Sequence, residues 1–183
     1  MAAAFGWIMK ELEGFLKGNE KHLTIEYKGD RLNAACEWYK IRNPMRIAVN
    51  AMIMQICKKM PSIRAKNALY RMIGVKIGKD VVISPDVFID PFYPELIEIK
   101  DGAIIGWGAR LITHEFTIKH IRIGRVKIGK QALIGAFSTI RSGVDIGDNA
   151  IVAIDTYANK DVGKLQEVGG VPEHNIKKLK RPI

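Results

Sequence analysis

Cysteine and histidine are scarce in this chain: there are two cysteines, Cys36 and Cys57, and four histidines, His22, His114, His120 and His174. Two cysteines at this separation suit neither a disulfide framework nor a zinc motif. Cys57 lies in an apolar run and reads as a small buried hydrophobe. A membrane-spanning run is also missing, since the most apolar segment, MRIAVNAMIMQICKKM, is too short to cross a bilayer. The amino end, MAAAFGWIMKELEGFLKG, has no basic start of the secretory kind and carries acids, so the expected compartment is the cytoplasm. Acids are few as well: 19 Asp and Glu face 29 Lys and Arg, a net charge of +10. That excess suits a polyanionic partner, either a nucleotide cofactor, nucleic acid or an anionic membrane surface. Nucleic acid is the weakest of the three, because the basic residues look scattered and no helix-turn-helix or stacking motif accompanies them. The densest basic stretch is the tail NIKKLKRPI, which also reads as the solvated end of a helix.

What the chain has in abundance is a period of six. From Val75 the hexads run VKIGKD, VVISPD and VFIDPF, then after YPEL continue as IEIKDG, AIIGWG and ARLITH. Eleven residues intervene, Glu115 to Arg125. From Val126 the register returns as VKIGKQ, ALIGAF, STIRSG, VDIGDN, AIVAID and TYANKD. The third residue of every unit is aliphatic: Ile77, Ile83, Ile89, Ile99, Ile105, Leu111, Ile128, Ile134, Ile140, Ile146, Val152 and Ala158. The first is Val, Ile, Ala, Ser or Thr, and the fourth is often Gly. Short strands with inward side chains, each followed by a glycine-assisted bend, predict a parallel β-helix with three hexads per coil and about four coils. A sandwich of short strands would not hold a fixed six-residue period. Insertions in a solenoid belong at its corners and project outward, where they often build a functional surface. The eleven-residue insertion starts directly after His114, which puts a titratable ring at its base.

The expected organisation is a helical arm or cap over 1–74, the repeat domain over 75–162 with its projecting loop at 115–125, and a loop and short helix over 163–183. In the arm, Phe5, Ile8, Leu12 and Phe15 fall near helical spacing. Asn43 and Pro44 look like the cap and first residue of a second helix, and Ser62 caps a third that stops at Gly74. Capping the open edge of the repeat, packing on a neighbouring subunit and lying on a membrane are all open to this arm.

The hexads, the histidine of ITHEF at the base of the loop, the stretch VKIGKQALIGAFSTIRSGVDIGDNAIV and the ending NKDV…GGVP together resemble the hexapeptide-repeat acyltransferases over about residues 70–180. Maltose, galactoside and colanic-acid O-acetyltransferases and the xenobiotic acetyltransferases belong to that group. The resemblance implies a mainly β fold built on a left-handed parallel β-helix, a homotrimer, acetyl-CoA held in clefts between subunits, and no metal. The left hand comes from the family alone, because crossover statistics favour the right. The implied catalyst is His114 as general base, a role that suits an imidazole titrating near neutrality. Glu115, the nearest acid in sequence, is the candidate to orient its ring.

Acceptor contacts are expected from Asp90, Glu95, Glu115 and His120. Asp90 and Glu95 equally read as turn residues beside Pro91 and Pro94, and His120 as a surface side chain. For CoA, the resemblance points to Ala153 beside the pantetheine arm, Lys160 of the KDV element, and Lys177, Lys178 and Lys180 near the phosphates. Phe137, Ile154 and Asp155 depart from the small residues common at these positions, and Gly169 to Glu173 depart from a GNPA-like signature. Two other readings share the fold. A γ-type carbonic anhydrase would need a histidine pair on the third coil, which this chain lacks. A non-catalytic trimeric scaffold, or a membrane-associated binding module, would explain Phe137, Ile154 and the apolar helix at 44–60.

Overall fold

The computed structural model describes residues 2–29, 31–172 and 174–178, with side chains described for 8–29, 31–172 and 174. Helix α1 (Ala2–Lys17) leads into strand β1 (His22–Glu26), a 3-10 segment over Ala34–Lys40, and helices α2 (Pro44–Lys59) and α3 (Ile63–Met72). The side chain of Asn43 accepts from the backbone N–H groups of Met45 and Arg46, and that of Ser62 from Ala65, so both expected caps satisfy donors left open at a helix start.

Each hexad then contributes one short strand, and successive strands go to three different parallel sheets. Face I stacks β2 (Lys76–Ile77), β5 (Ile97–Ile99), β10 (Val126–Ile128) and β13 (Asp145–Ile146). Face II stacks β3 (Val82–Ile83), β6 (Ile104–Ile105), β11 (Leu133–Ile134) and β14 (Ile151–Val152). Face III stacks β4 (Phe88–Ile89), β7 (Arg110–Leu111), β12 (Thr139–Ile140) and β15 (Tyr157–Ala158). The register aligns the third-position residues into columns, for example Ile83, Ile105, Ile134 and Val152. These columns and the small first-position residues form one continuous buried core. Each fully buried Ile or Leu contributes roughly 1.5–3 kcal/mol, so the repeat stabilises itself rung upon rung.

The glycines at the fourth position do a different job from the bend expected of them. The left-handed residues sit at the sixth position instead: Asp80, Gly102, Gln131 and Asn149 between faces I and II, and Asp86, Gly108, Phe137 and Asp155 between faces II and III. Asp, Asn and Gly tolerate that backbone best. The fourth-position glycines allow close stacking: a Cβ on Gly106 would lie 2.6 Å from the backbone nitrogen of Ala136, and one on Gly135 2.5 Å from that of Ile154.

The expected arm is two units. Helices α2 and α3 cover the open edge of β2, β3 and β4. There the Lys66 ammonium donates to the Ile83 carbonyl at 3.0 Å and the Asn67 amide to the Val81 carbonyl at 2.9 Å. Cys57 is fully buried in this contact, and burial pushes its thiol pKa up. The preceding segment packs elsewhere. Ile8, Leu12 and Phe15 of α1 join Ile25, Tyr93, Leu96, Ile121 and Ile123 in a second core.

That second core includes the loop expected at 115–125, which is an antiparallel hairpin of β8 (His114–Phe116) and β9 (His120–Gly124). Strand β1 pairs along the other edge of β9, making a three-stranded sheet. Arg125 fastens its base to the end of α1 by donating to the Phe15 carbonyl at 2.9 Å, a group the helix terminus leaves unpaired, and to the Gly18 and Glu20 carbonyls just beyond it at 2.8 and 3.0 Å. The short helix expected within 163–183 is replaced among the described residues by β16 (Gln166–Gly169) and β17 (His174–Lys178). The edge of β14 offers open backbone groups, and β16 pairs with them while β17 folds back antiparallel. Among the described residues no helix is long and apolar enough to cross a membrane.

Candidate active site

Chemistry gathers where face III hands over to face I. Each circuit leaves its third strand there, and the corner receives Asp90 after β4, His114 shortly after β7, Arg141 and Ser142 after β12, and Asn159 and Lys160 after β15. Both insertions in the repeat, the residues at 93–96 and the hairpin, also lie at this corner.

Asp90 is completely buried and is the residue that holds His114. Its Oδ2 lies 2.6 Å from Nδ1 of the imidazole and accepts from the backbone N–H groups of Thr113 at 2.8 Å and His114 at 3.0 Å. Its Oδ1 accepts from the Phe92 N–H at 3.0 Å, the bond expected of a turn residue beside Pro91. Burial alone would push this carboxyl pKa up, but the hydrogen bonds and charge of its partners, His114 foremost, hold it below the ordinary value. An ionised carboxylate can only accept, so in the neutral ring the proton sits on Nδ1 and Nε2 keeps its lone pair. The ring is stacked on Phe92 at 3.9 Å between centroids and meets the edge of Phe116 at 5.2 Å. Trp38, from the 3-10 segment, meets Phe92 edge-on at 5.9 Å. The His114 side chain keeps 19% of its surface exposed, enough for a small molecule to reach it.

Glu115 does not orient that ring. Consecutive residues of a strand point to opposite faces, so Glu115 turns away from His114. It pairs in a fork with Arg141 at 2.8 and 2.9 Å and accepts from the Ser142 hydroxyl at 2.5 Å. Burial raises its pKa, and these partners outweigh burial and lower it overall. It lines a cleft of about 530 Å³ together with Lys21, His22, Arg122, Arg141 and Lys160. The imidazole is not among the residues lining this cleft, because it lies across β8.

The remaining sequence candidates are dispersed. Glu95 pairs with Arg42 at 2.6 Å, tying the arm to the first insertion. His120 is exposed at the far end of the hairpin, where its backbone closes the turn with Thr117. With His114 paired to Ile123, it lies three residues further along β9, about 10 Å by strand rise. Ala153 sits at the face II to face III corner, where its carbonyl accepts from the Ser138 hydroxyl at 2.7 Å. Lys177 and Lys178 lie on β17 with side chains outside the described set, and Lys180 lies outside the described residues. Sequence reasoning passed over Trp38, Phe92 and Phe116, and it cast Asp90 only as an acceptor contact or a turn residue. The available signal for Asp90 was its place at the same corner as His114, one circuit earlier.

A sequence profile described as bacterial transferase hexapeptide (six repeats) matches residues 125–153. Over 129 residues the chain is 39% identical to a Bacillus subtilis (strain 168) protein named "Putative acetyltransferase YvoF", covering 70% of this chain and 75% of that one. The chain belongs to the hexapeptide-repeat transferase family. A second member of the family, "Putative acetyltransferase SAR0816" of Staphylococcus aureus (strain MRSA252), is 36% identical over 162 residues, which are 88% of this chain and 99% of that protein. Among solved structures, the hexapeptide-repeat-containing acetyltransferase VCA0836 of Vibrio cholerae superposes with a TM-score of 0.61 at 20% identity, covering 75% of this chain and 92% of that one. A maltose O-acetyltransferase from Clostridium difficile 630 gives 0.57 at 18%, covering 75% and 88%. At such identities the superpositions speak for the fold of the transferase alone. Among its described residues no three His, Cys, Asp or Glu side chains are grouped to hold a metal ion.

Proposed function

We propose that this chain is a CoA-dependent acyltransferase that moves an acetyl group from acetyl-CoA to a hydroxyl, or an amine, of a sugar or other small acceptor. The observation that carries this reading is the Asp90–His114 pair: a buried carboxylate holds Nδ1 of the imidazole at 2.6 Å, leaving Nε2 directed away from it beside a partly open aromatic wall. Nε2 takes the acceptor proton as the acceptor oxygen attacks the thioester carbonyl. The carbon–sulfur bond then breaks, and the imidazolium returns its proton to the departing thiolate. Asp90 stabilises the imidazolium between these steps without itself taking the proton. The two relatives named as acetyltransferases support the same reaction.

An aromatic wall of Trp38, Phe92 and Phe116 favours a ring-shaped acceptor with an apolar face, such as a sugar. On this reading the circuits wind left-handed as four coils and the protein is a cytoplasmic homotrimer. Exposed apolar side chains support association through face II and the corner beside it: Ile104, Leu133, Trp107, Phe137 and Ile154. CoA would contact Ala153 and Lys160, which stand at the two ends of face III on one circuit. A non-catalytic scaffold would have no use for a sealed carboxylate on a histidine ring.

Calorimetric titration with CoA and acetyl-CoA, alongside mass in solution, tests this reading. Micromolar binding by a trimer supports it, and the His114→Ala variant should bind CoA with similar affinity but fail to release free thiol with any acceptor. A well-folded protein that binds neither ligand would overturn it.

A further inference from the structure

The positive charge of this chain is not scattered. Residues 38–79 carry ten Lys and Arg and no Asp or Glu, so the other 19 basic residues are matched by the 19 acids and the whole net charge of +10 belongs to this one segment. Six of the ten lie on the cap formed by α2 and α3, namely Arg46, Lys58, Lys59, Arg64, Lys66 and Arg71, and the cap holds no acid. Some of the segment's charges are spoken for: Lys40 pairs with Glu37, Arg42 with Glu95 and Lys59 with Asp86, while Lys66 is buried against a carbonyl. Arg46 and Arg64 are exposed on α2 and α3, and Lys59 keeps its side chain 81% exposed.

Helix α2 adds an apolar stripe. Met45 is 72% exposed, Val49 42%, Met52 60% and Ile56 51%. At about 100° per residue these four fall within about 60° of one another on the helix. Asn50, Met54 and Cys57 are buried on the opposite side. Since that side covers the edge strands, the stripe points outward along the stacking direction. A groove of about 560 Å³ between α1 and α2 continues it, with Met9, Leu16, Met45 and Val49 as apolar walls and Arg46 and Glu13 among its charged lining.

We propose that the α2 stripe docks on an anionic lipid surface. An apolar helix face with cations beside it sinks to the boundary of headgroups and acyl chains while Lys and Arg meet lipid phosphates. Charge decides against the other obvious occupant, a second copy seated on the same stripe, because two basic, acid-free helix pairs would be brought face to face. At 16 residues α2 spans about 24 Å, so it lies on the surface and does not cross it. In a trimer joined through the sides of the repeat, three stripes would face one pole and act together; the docking itself requires neither the trimer nor CoA binding.

The test is flotation of the full chain with vesicles of phosphatidylcholine alone and of equimolar phosphatidylcholine and phosphatidylglycerol. The wild type should float with the anionic vesicles only. The Met52→Gln/Ile56→Gln variant, with its thermal melt unchanged, should partition about tenfold more weakly, as should an Arg46→Glu/Arg64→Glu variant. Three results would each overturn the proposal: no flotation of folded wild type, flotation that the apolar double variant does not weaken, or a solution mass that halves in that variant. The last would assign the stripe to a second copy. CoA affinity, measured on the same samples, reports on the transferase reading separately.

Discussion

Two corners of the same repeat differ in kind. Between faces II and III every circuit turns the same way, with its sixth residue, Asp86, Gly108, Phe137 or Asp155, in the left-handed region. The ring of Phe137 even lies where a Cβ on Gly108 would sit, at 2.7 Å. Between faces III and I only Gly143 among the four circuits has that backbone, both insertions occur, and two pairs form on opposite sides of β8, Asp90 with His114 and Glu115 with Arg141. The strict corner holds rungs in register and exposes apolar side chains. The broken corner gives up the regular turn, and its freed residues assemble a buried carboxylate, an imidazole and an aromatic wall. On the proposed function, the corner at which the repeat is interrupted is also its working site, since a chain can leave the stack at a corner without losing strand pairing.

The largest expected effect belongs to the broken corner. His114→Ala should lower transfer by about 10²- to 10⁴-fold, the worth of a positioned general base, with little change in melting temperature. Retention of turnover would remove the catalytic half of the comparison. The opposite signature is expected within the strict repeat: Ile134→Ala should cost about 2–5 kcal/mol of stability in a denaturant titration while the folded fraction keeps its activity per molecule. Asp90→Asn comes next. An amide no longer dictates which ring nitrogen holds the proton, and turnover should fall by as much as about 10⁴-fold, as when the carboxylate behind a general-base histidine becomes an amide. Glu115→Gln, on the other side of β8, should leave that step alone.

The smallest effect sharpens the contrast by pH. Asp90 and Glu115 both have folded pKa values below their ordinary 3.8 and 4.5, so each stabilises fully above those values and loses its contribution as pH falls through the depressed one. Thermal melts should hold level from about pH 7 to 5 and decline below about pH 4, less steeply in a variant carrying both Asp90→Asn and Glu115→Gln.

The repeat was legible because a six-residue period is local and every third position must be aliphatic to fill the core. The helix caps Asn43 and Ser62 were legible for the same reason: side chain and backbone partner lie within three residues. The corner chemistry was not. Asp90 and His114 are 24 residues apart and meet only because one circuit stacks on the next. Glu115 looked like the partner by proximity, yet strand alternation sends neighbours to opposite faces. The hairpin looked like a free loop because its third strand, β1, lies about a hundred residues earlier, in a segment read as helical. The carboxyl-terminal strands escaped notice because NIKKLKRPI has helical composition, while the open edge of β14 selects strands.

The claim on which the account turns is that Asp90 fixes the His114 proton on Nδ1. Nitrogen-15 NMR of the labelled imidazole near pH 8, with the His114→Gln variant to assign the signal, tests this without knowledge of the acceptor. The account predicts a protonated Nδ1 and a bare Nε2, with that preference lost in Asp90→Asn. A proton on Nε2 in the wild type would contradict it, because the nitrogen left to act as base would then be the one sealed against the carboxylate.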